Sequence, residues 1–455
     1  MITRNDFRNN TFIMAIIGAF VLFGAGCDSG VDATSNEDSV TVSGQVSEDE
    51  NDTQNKTYGK MGEPSAETLT SVEGAVVTAV AVHADGSVSE LNGETTTNAN
   101  GEFTLVAEGE GAADYIRVFA RGDGDFEASS IVQVDGQNSV DSRPLTAESH
   151  ARARVYLEAK ARDGYDSHYE GVTAADVAVF TNDAVAAEIN AGVQSAADVG
   201  TAIASAVKAQ VEFNAKASAE VAMSAIFEAR AEAFAQFHSD LASSSSAEAR
   251  ANAYTKLEGS YINVFTDNGT DVETQAKFHQ TSASILVEAS SNTNGKAELG
   301  LRKQAELILS KATALSIEAM FQAEGASSST IDALIEARTV AVSEIREASS
   351  IEAIVNAKAD YKAKVDAETE SHFGISSSAR ASAEAEIESS VDVLQNVIAS
   401  LSIFGNVAEA TAEAYNSFYL DAQLNAKTSF EANGMAEAEA EAAANITVMT
   451  SVMTS

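Results

Sequence analysis

Cysteine occurs once in this 455-residue chain, at position 27. A single cysteine cannot close an internal disulfide, and it excludes a zinc site built on several thiolates. Proline occurs twice, as Pro64 and Pro144. Because proline costs about 3 kcal/mol inside a helix, the long proline-free stretch after Pro144 suits helices. Basic residues are scarce: 28 Lys and Arg stand against 68 Asp and Glu, a formal net charge of −40. A body so charged is repelled by nucleic acid and by anionic lipid, so nucleic acid is not expected as a partner. Local catalytic signatures are also missing. None of the six histidines has another four residues away, as a helical zinc motif requires. There is no Gly-x-Ser-x-Gly turn, phosphate-cradling glycine loop or nucleotide fingerprint. The sequence therefore implies neither an enzyme nor a cofactor.

What is present begins at the N-terminus. Arg4 and Arg8 precede an apolar stretch from Thr11 to Phe23, and Gly24-Ala25-Gly26 leads directly to Cys27. The stretch is shorter than the roughly 20 apolar residues that span a bilayer. A basic start, a short apolar centre and small residues describe a secretory signal. With the cysteine immediately after, the segment resembles the lipobox of bacterial lipoproteins, with Gly24 where that family usually has Leu. The resemblance implies that residues 1–26 are removed and that Cys27 becomes the lipidated first residue, making the membrane a partner through the lipid. One acyl chain holds only marginally, at about 0.8 kcal/mol per buried methylene, and the lipoprotein family carries three. Residues 27–38 are small, polar and acidic, as a flexible tether requires. The expected location is the cell envelope, lipid-anchored at the outer membrane, with its periplasmic and surface faces both open.

Acidic side chains are spread along the whole chain. That distribution resembles proteins of salt-loving bacteria, in which salt screens the repulsion between surface carboxylates. It also fits a solvated surface with no specific role, and both readings predict that low salt destabilises the fold.

Composition changes near residue 145. Before it, "SVTVSGQV", "GAVVTAVAVHADGSVSEL", "ETTTNANGEFTLVAEG", "YIRVFARG" and "SSIVQV" read as short strands broken by turn formers, with Asp85-Gly86 as a hairpin signal. In "YIRVFARG", Ile116, Val118 and Ala120 form the purely apolar face, which is expected to point at the core. The pattern predicts a small antiparallel β-sandwich over 39–143. "VSGQV" at 42–46, "VEGAVV" at 72–77 and "TTTNANGEFTL" at 95–105 resemble the carboxypeptidase regulatory-like domain, a prealbumin-like β-sandwich. In that family the domain accompanies catalytic or envelope domains and is no catalyst itself, which implies a spacer or binding role. The stretch 47–71 is longer than the family's usual link and reads as a mobile loop.

Residues 144–455 are rich in Ala and Glu and predict an all-α, elongated antiparallel helical bundle. Leu301, Ala305, Ile308, Ala312, Leu315 and Ala319 step by four and three, as do Ile387, Val391, Leu394, Ile398 and Leu401. Each series is a seam with a 3.5-residue period. Glycines at 295, 325, 374, 405 and 434 punctuate this pattern, which predicts helices of about 28 residues, about 42 Å long. Ser-rich stretches at 327–330 and 376–378 supply N-caps. "AEAEAEAAA" at 436–444 is expected to be helix, and the β-prone tail "ITVMTSVMTS" is expected to fray. A multi-chain coiled coil is the competing picture.

Few residues suggest a site. Arg121-Gly122-Asp123 is an integrin-type tripeptide, but it also suits a turn at a strand end. Asp123 with Asp125, or Asp267 with Asp271, offers paired carboxylates but no full calcium loop, and no metal site is assigned. The densest polar-aromatic cluster is Tyr165, His168 and Tyr169 in "GYDSHYEG", a weak candidate for ligand binding. Aromatic faces beside carboxylates suit carbohydrate, while the plainer reading is a loop whose tyrosines cap the bundle. The sequence thus predicts a lipid-anchored envelope protein with a structural, adhesive or spacer role and an envelope protein or polysaccharide as its partner class. The alternative is a solute- or glycan-binding accessory of an envelope transporter or enzyme complex.

Overall fold

The computed structural model describes residues 39–49, 69–109, 114–124, 126–134, 136–142, 144–161, 171–216, 223–244, 246–290, 295–401 and 407–454. The signal, Cys27, the tether, the cluster at Tyr165, His168 and Tyr169, Asp125 and Gly405 all lie outside the described residues.

The strands are β1 (Ser39–Gln45), β2 (Ser47–Asp49), β3 (Leu69–Ser71), β4 (Val76–Val82), β5 (Val88–Glu90), β6 (Thr95–Thr96), β7 (Glu102–Glu108), β8 (Tyr115–Arg121), β9 (Glu127–Gln133) and β10 (Ser139–Asp141). One sheet runs β10-β1-β7. The other runs β5-β4-β8-β9, with β6 also paired to β4. All pairings between these strands are antiparallel except β1 with β10, which is parallel. The loop expected over 47–71 begins and ends in a strand pair, because β2 and β3 zip together from Ser47↔Ser71 to Asp49↔Leu69.

Alternation with period two builds the core between the sheets. Val42, Val77, Phe103, Leu105, Ile116, Val118 and Ala120 are all buried there, so the inward face of β8 is the one the sequence indicated. Two glycines make the packing possible. A Cβ on Gly44 would lie 2.8 Å from Cζ of Phe103, so only glycine lets that ring cross β1. Gly101 has φ +72°, and a Cβ there would lie 2.4 Å from the carbonyl oxygen of Val46. The Gly101 carbonyl accepts a 2.8 Å hydrogen bond from the Val46 N–H, tying the β6–β7 turn to the end of β1.

The other face of β8 is covered as well. Tyr115 joins Val82 and Ile131 in the core of the helical region. It meets Tyr156 with ring centroids 5.8 Å apart.

The helices are α1 (Ala147–Lys160), α2 (Ala174–Phe180), α3 (Asp183–Asn190), α4 (Ala196–Lys216), α5 (Met223–Ala242), α6 (Ala247–Asp267), α7 (Val272–Ser290), α8 (Gly295–Ala323), α9 (Ser328–Glu347), α10 (Ile351–Phe373), α11 (Ser377–Leu401), α12 (Val407–Ala432) and α13 (Glu437–Thr454). α1 lies on β9, and the most extensive helix contacts join the antiparallel pairs α7–α8 and α11–α12. The helices therefore fold back within one chain.

Several expectations need correction. Helix lengths are uneven: α8 has 29 residues, but α2 has seven and α3 eight. Gly325, Gly374 and Gly434 do end helices with positive φ, and Ser327 and Ser376 cap α9 and α11. However, Gly295 opens α8, and the break before α10 is made without glycine, by Ser350 accepting from the N–H of Ala353 at 3.2 Å. The seam proposed on α11 is real, with Ile387, Val391, Leu394 and Ile398 buried. α8 has no such single seam: Leu307, Leu309, Ala314 and Phe321 are buried along with Leu301, Ala305, Ile308 and Ala312, while Leu315 and Ala319 are only half-buried, because helices surround it. The tail does not fray. Ile446, Val448, Met449 and Met453 are buried within α13, where packing overrides β-propensity. The Thr447 hydroxyl donates to the carbonyl of Ala443 at 2.7 Å, so its polar group stays inside the helix.

Candidate functional site

Of the sequence candidates that can be placed, Arg121 and Asp271 have structural tasks. Arg121 is exposed and pairs with Glu127 at 3.2 Å across β8 and β9, while Gly122 and Asp123 lie in the connecting turn. Asp271 caps α7, accepting from the N–H and hydroxyl of Thr274 at 2.9 and 2.7 Å. Among the described residues no three His, Cys, Asp or Glu side chains form a metal-holding group.

The strongest cluster of polar chemistry lies in the helical core and was not singled out from the sequence. Asp176, fully buried, sits in the first turn of α2. Its Oδ2 accepts from the N–H of Thr173 at 2.7 Å and from that residue's hydroxyl at 2.6 Å, forming a capping box. Its Oδ1 accepts from Arg230 of α5 at 3.0 Å and from the hydroxyl of Tyr261 of α6 at 2.7 Å. Arg230 also donates to Gln210 of α4 at 2.8 Å. Its guanidinium lies 4.3 Å from the Tyr261 ring centroid, a cation–π contact. One carboxylate thus joins four helices. The Thr173-x-x-Asp176 spacing was the available signal, whereas the partners are 54 and 85 positions away.

Burial pushes the Tyr261 hydroxyl well above the usual tyrosine range, and Asp176 adds to this. Burial, together with Arg230, lowers His279 to about 3, so it stays neutral at physiological pH. With four donors on Asp176 and no cavity at it among those described, the cluster is a joint.

The scarce cations repeat this task elsewhere. Glu306 on α8 pairs with Lys358 on α10 at 2.8 Å, both buried. Glu258 on α6 pairs with Lys311 on α8 and with Arg346 on α9, the latter at 3.1 Å. Glu318 on α8 pairs with Arg338 on α9 at 2.7 Å. Between α10 and α11, Arg380 meets Asp366 at 3.1 Å, Glu370 at 2.8 Å and Glu384 at 2.6 Å, and Lys362 joins the same network. Such networks outweigh isolated surface pairs, which contribute about 0–1 kcal/mol each.

The interior around these joints is filled. A gap lined by Ser310, Arg338, Lys358 and Tyr361 among others offers about 0 Å³, and one between β9, α1, α2 and α5 about 10 Å³. Neither admits a small-molecule ligand, since such sites measure roughly 300–1,000 Å³. Compared with family models, curated proteins and solved structures, the chain matches none.

Proposed function

We propose that this chain is a lipid-anchored cell-envelope protein with a structural or adhesive role, its sandwich and helices serving as a spacer that presents a surface to an envelope protein or polysaccharide. The observation that carries this reading is the packed interior of the described helices, cross-linked from α2 to α11 by charge pairs that are buried or half-buried. A spacer needs stiffness, and pairing across helices supplies it. The motif from Arg4 to Cys27 supports the anchor, and among the described residues no helix is long and apolar enough to cross a membrane. The sandwich reading as a carboxypeptidase regulatory-like domain is supported by the meeting of its quoted motifs, with Gly44 under Phe103 and Val46 bonded to Gly101.

Adhesion requires exposure. A membrane-impermeant protease added to intact cells of the source organism is expected to digest this chain while a periplasmic marker survives. Protection equal to that of the marker would remove the adhesive role.

A further inference from the structure

Three arginines are buried among the described residues, Arg117, Arg152 and Arg230. Two are neutralised. Arg152 meets Asp183 at 2.5 Å, and Arg230 meets Asp176 at 3.0 Å. Arg117 is not. It is only 9 % exposed, yet among the described residues no carboxylate pairs with its guanidinium within 4 Å. Its Nε donates to Ser129 Oγ at 3.1 Å, and Phe119 lies 4.2 Å beneath its Cζ. Buried charges are ordinarily paired, because an unpaired one forfeits hydration without compensation.

The surroundings add positive charge. Arg117 stands on the face of β8 turned toward α1, beside Val80 of β4, which is half-buried. On α1, Arg154 is exposed and acts on both Arg117 and His150. Ser129 Oγ lies 3.2 Å from His150 Nδ1. In the tautomer in which the Ser129 hydroxyl donates to Nδ1, the ring's own proton sits on Nε2 and is a donor. The carboxylate acting on this group is Glu127, and Arg121 holds it at 3.2 Å. Burial and Arg154 lower Arg117 to about 10, and burial, Arg117 and Arg154 lower His150 to about 4. A spot this cationic is anomalous in a chain of net charge −40.

We propose that Arg117, Arg154 and His150 form a site for one oxyanion, a carboxylate or phosphate group, on the β8 face beside α1. With Nε committed to Ser129, the two Nη atoms of Arg117 are left for the anion, and a guanidinium matches the planar geometry of carboxylate and phosphate. Arg154 adds charge from the open side. The anion supplies the counter-charge that Asp176 and Asp183 supply to the other two arginines.

The test uses the full chain, labelled at its histidine rings, with the His150 ring signals assigned by their loss in His150→Gln. Inorganic phosphate and acetate are titrated separately at constant ionic strength, with chloride as the control. The expected result is a saturable His150 shift, with its pKa rising, absent in chloride. Saturation by phosphate alone or acetate alone assigns the oxyanion class, and saturation by both supports the general site. Arg154→Gln, which changes an exposed side chain, is expected to weaken binding about two- to fivefold, and Arg117→Met to abolish it. A His150 signal that responds to neither anion beyond chloride, or a response unchanged in Arg154→Gln, would overturn the proposal.

Discussion

Arg230→Met is expected to destabilise the protein by about 3–5 kcal/mol, the usual cost of removing one partner from a buried ion pair. The substitution leaves the Asp176 carboxylate fully buried with its cation gone. It also removes the Gln210 bond and the cation over Tyr261. Asp176→Asn has the mirror effect, stranding Arg230 and weakening the cap of α2. The penalty arises from one uncompensated charge, so the double variant, Asp176→Asn with Arg230→Met, should lose clearly less than the sum of the two singles. Urea midpoints of the four proteins measure this directly. Single variants within about 1 kcal/mol of the parent would mean that the joint does not hold the four helices.

The second large effect is that of salt. Raising sodium chloride from about 10 mM to about 1 M shortens the screening length from about 30 Å to about 3 Å. With a net charge of −40, the folded surface is dominated by repulsion between carboxylates. The ion pairs that join the helices are largely buried and respond little, as Glu306–Lys358 illustrates. Melting temperature should therefore rise with salt, by on the order of 10 °C over that range. A flat or falling melting temperature, followed by circular dichroism, would show that pairing rather than repulsion governs the surface.

The parts legible in the sequence are those where one face is wet. The alternation in β7 and the seam on α11 separate buried from exposed positions, so their apolar residues mark the inside. α8 and α13 are surrounded, so no face of them stands out, and a β-prone tail could be read as loose when it packs against α8, α10 and α12. The polar joints were illegible for a different reason. Asp176, Gln210, Arg230 and Tyr261 look like ordinary members of four separate helical stretches, and only the fold brings them together. The burial of Arg117 was not legible either, since it stands opposite the apolar face of β8 and that side is covered only when α1 packs on the neighbouring β9.

The central claim, a body held to the envelope by lipid at Cys27, is tested most directly by the intact mass of the mature protein extracted from membranes, compared with a Cys27→Ser variant. The parent is expected to begin at Cys27 with added acyl mass, and the variant to be an unlipidated chain that keeps its precursor mass. A parent chain without acyl mass, or a variant processed like the parent, would contradict the claim.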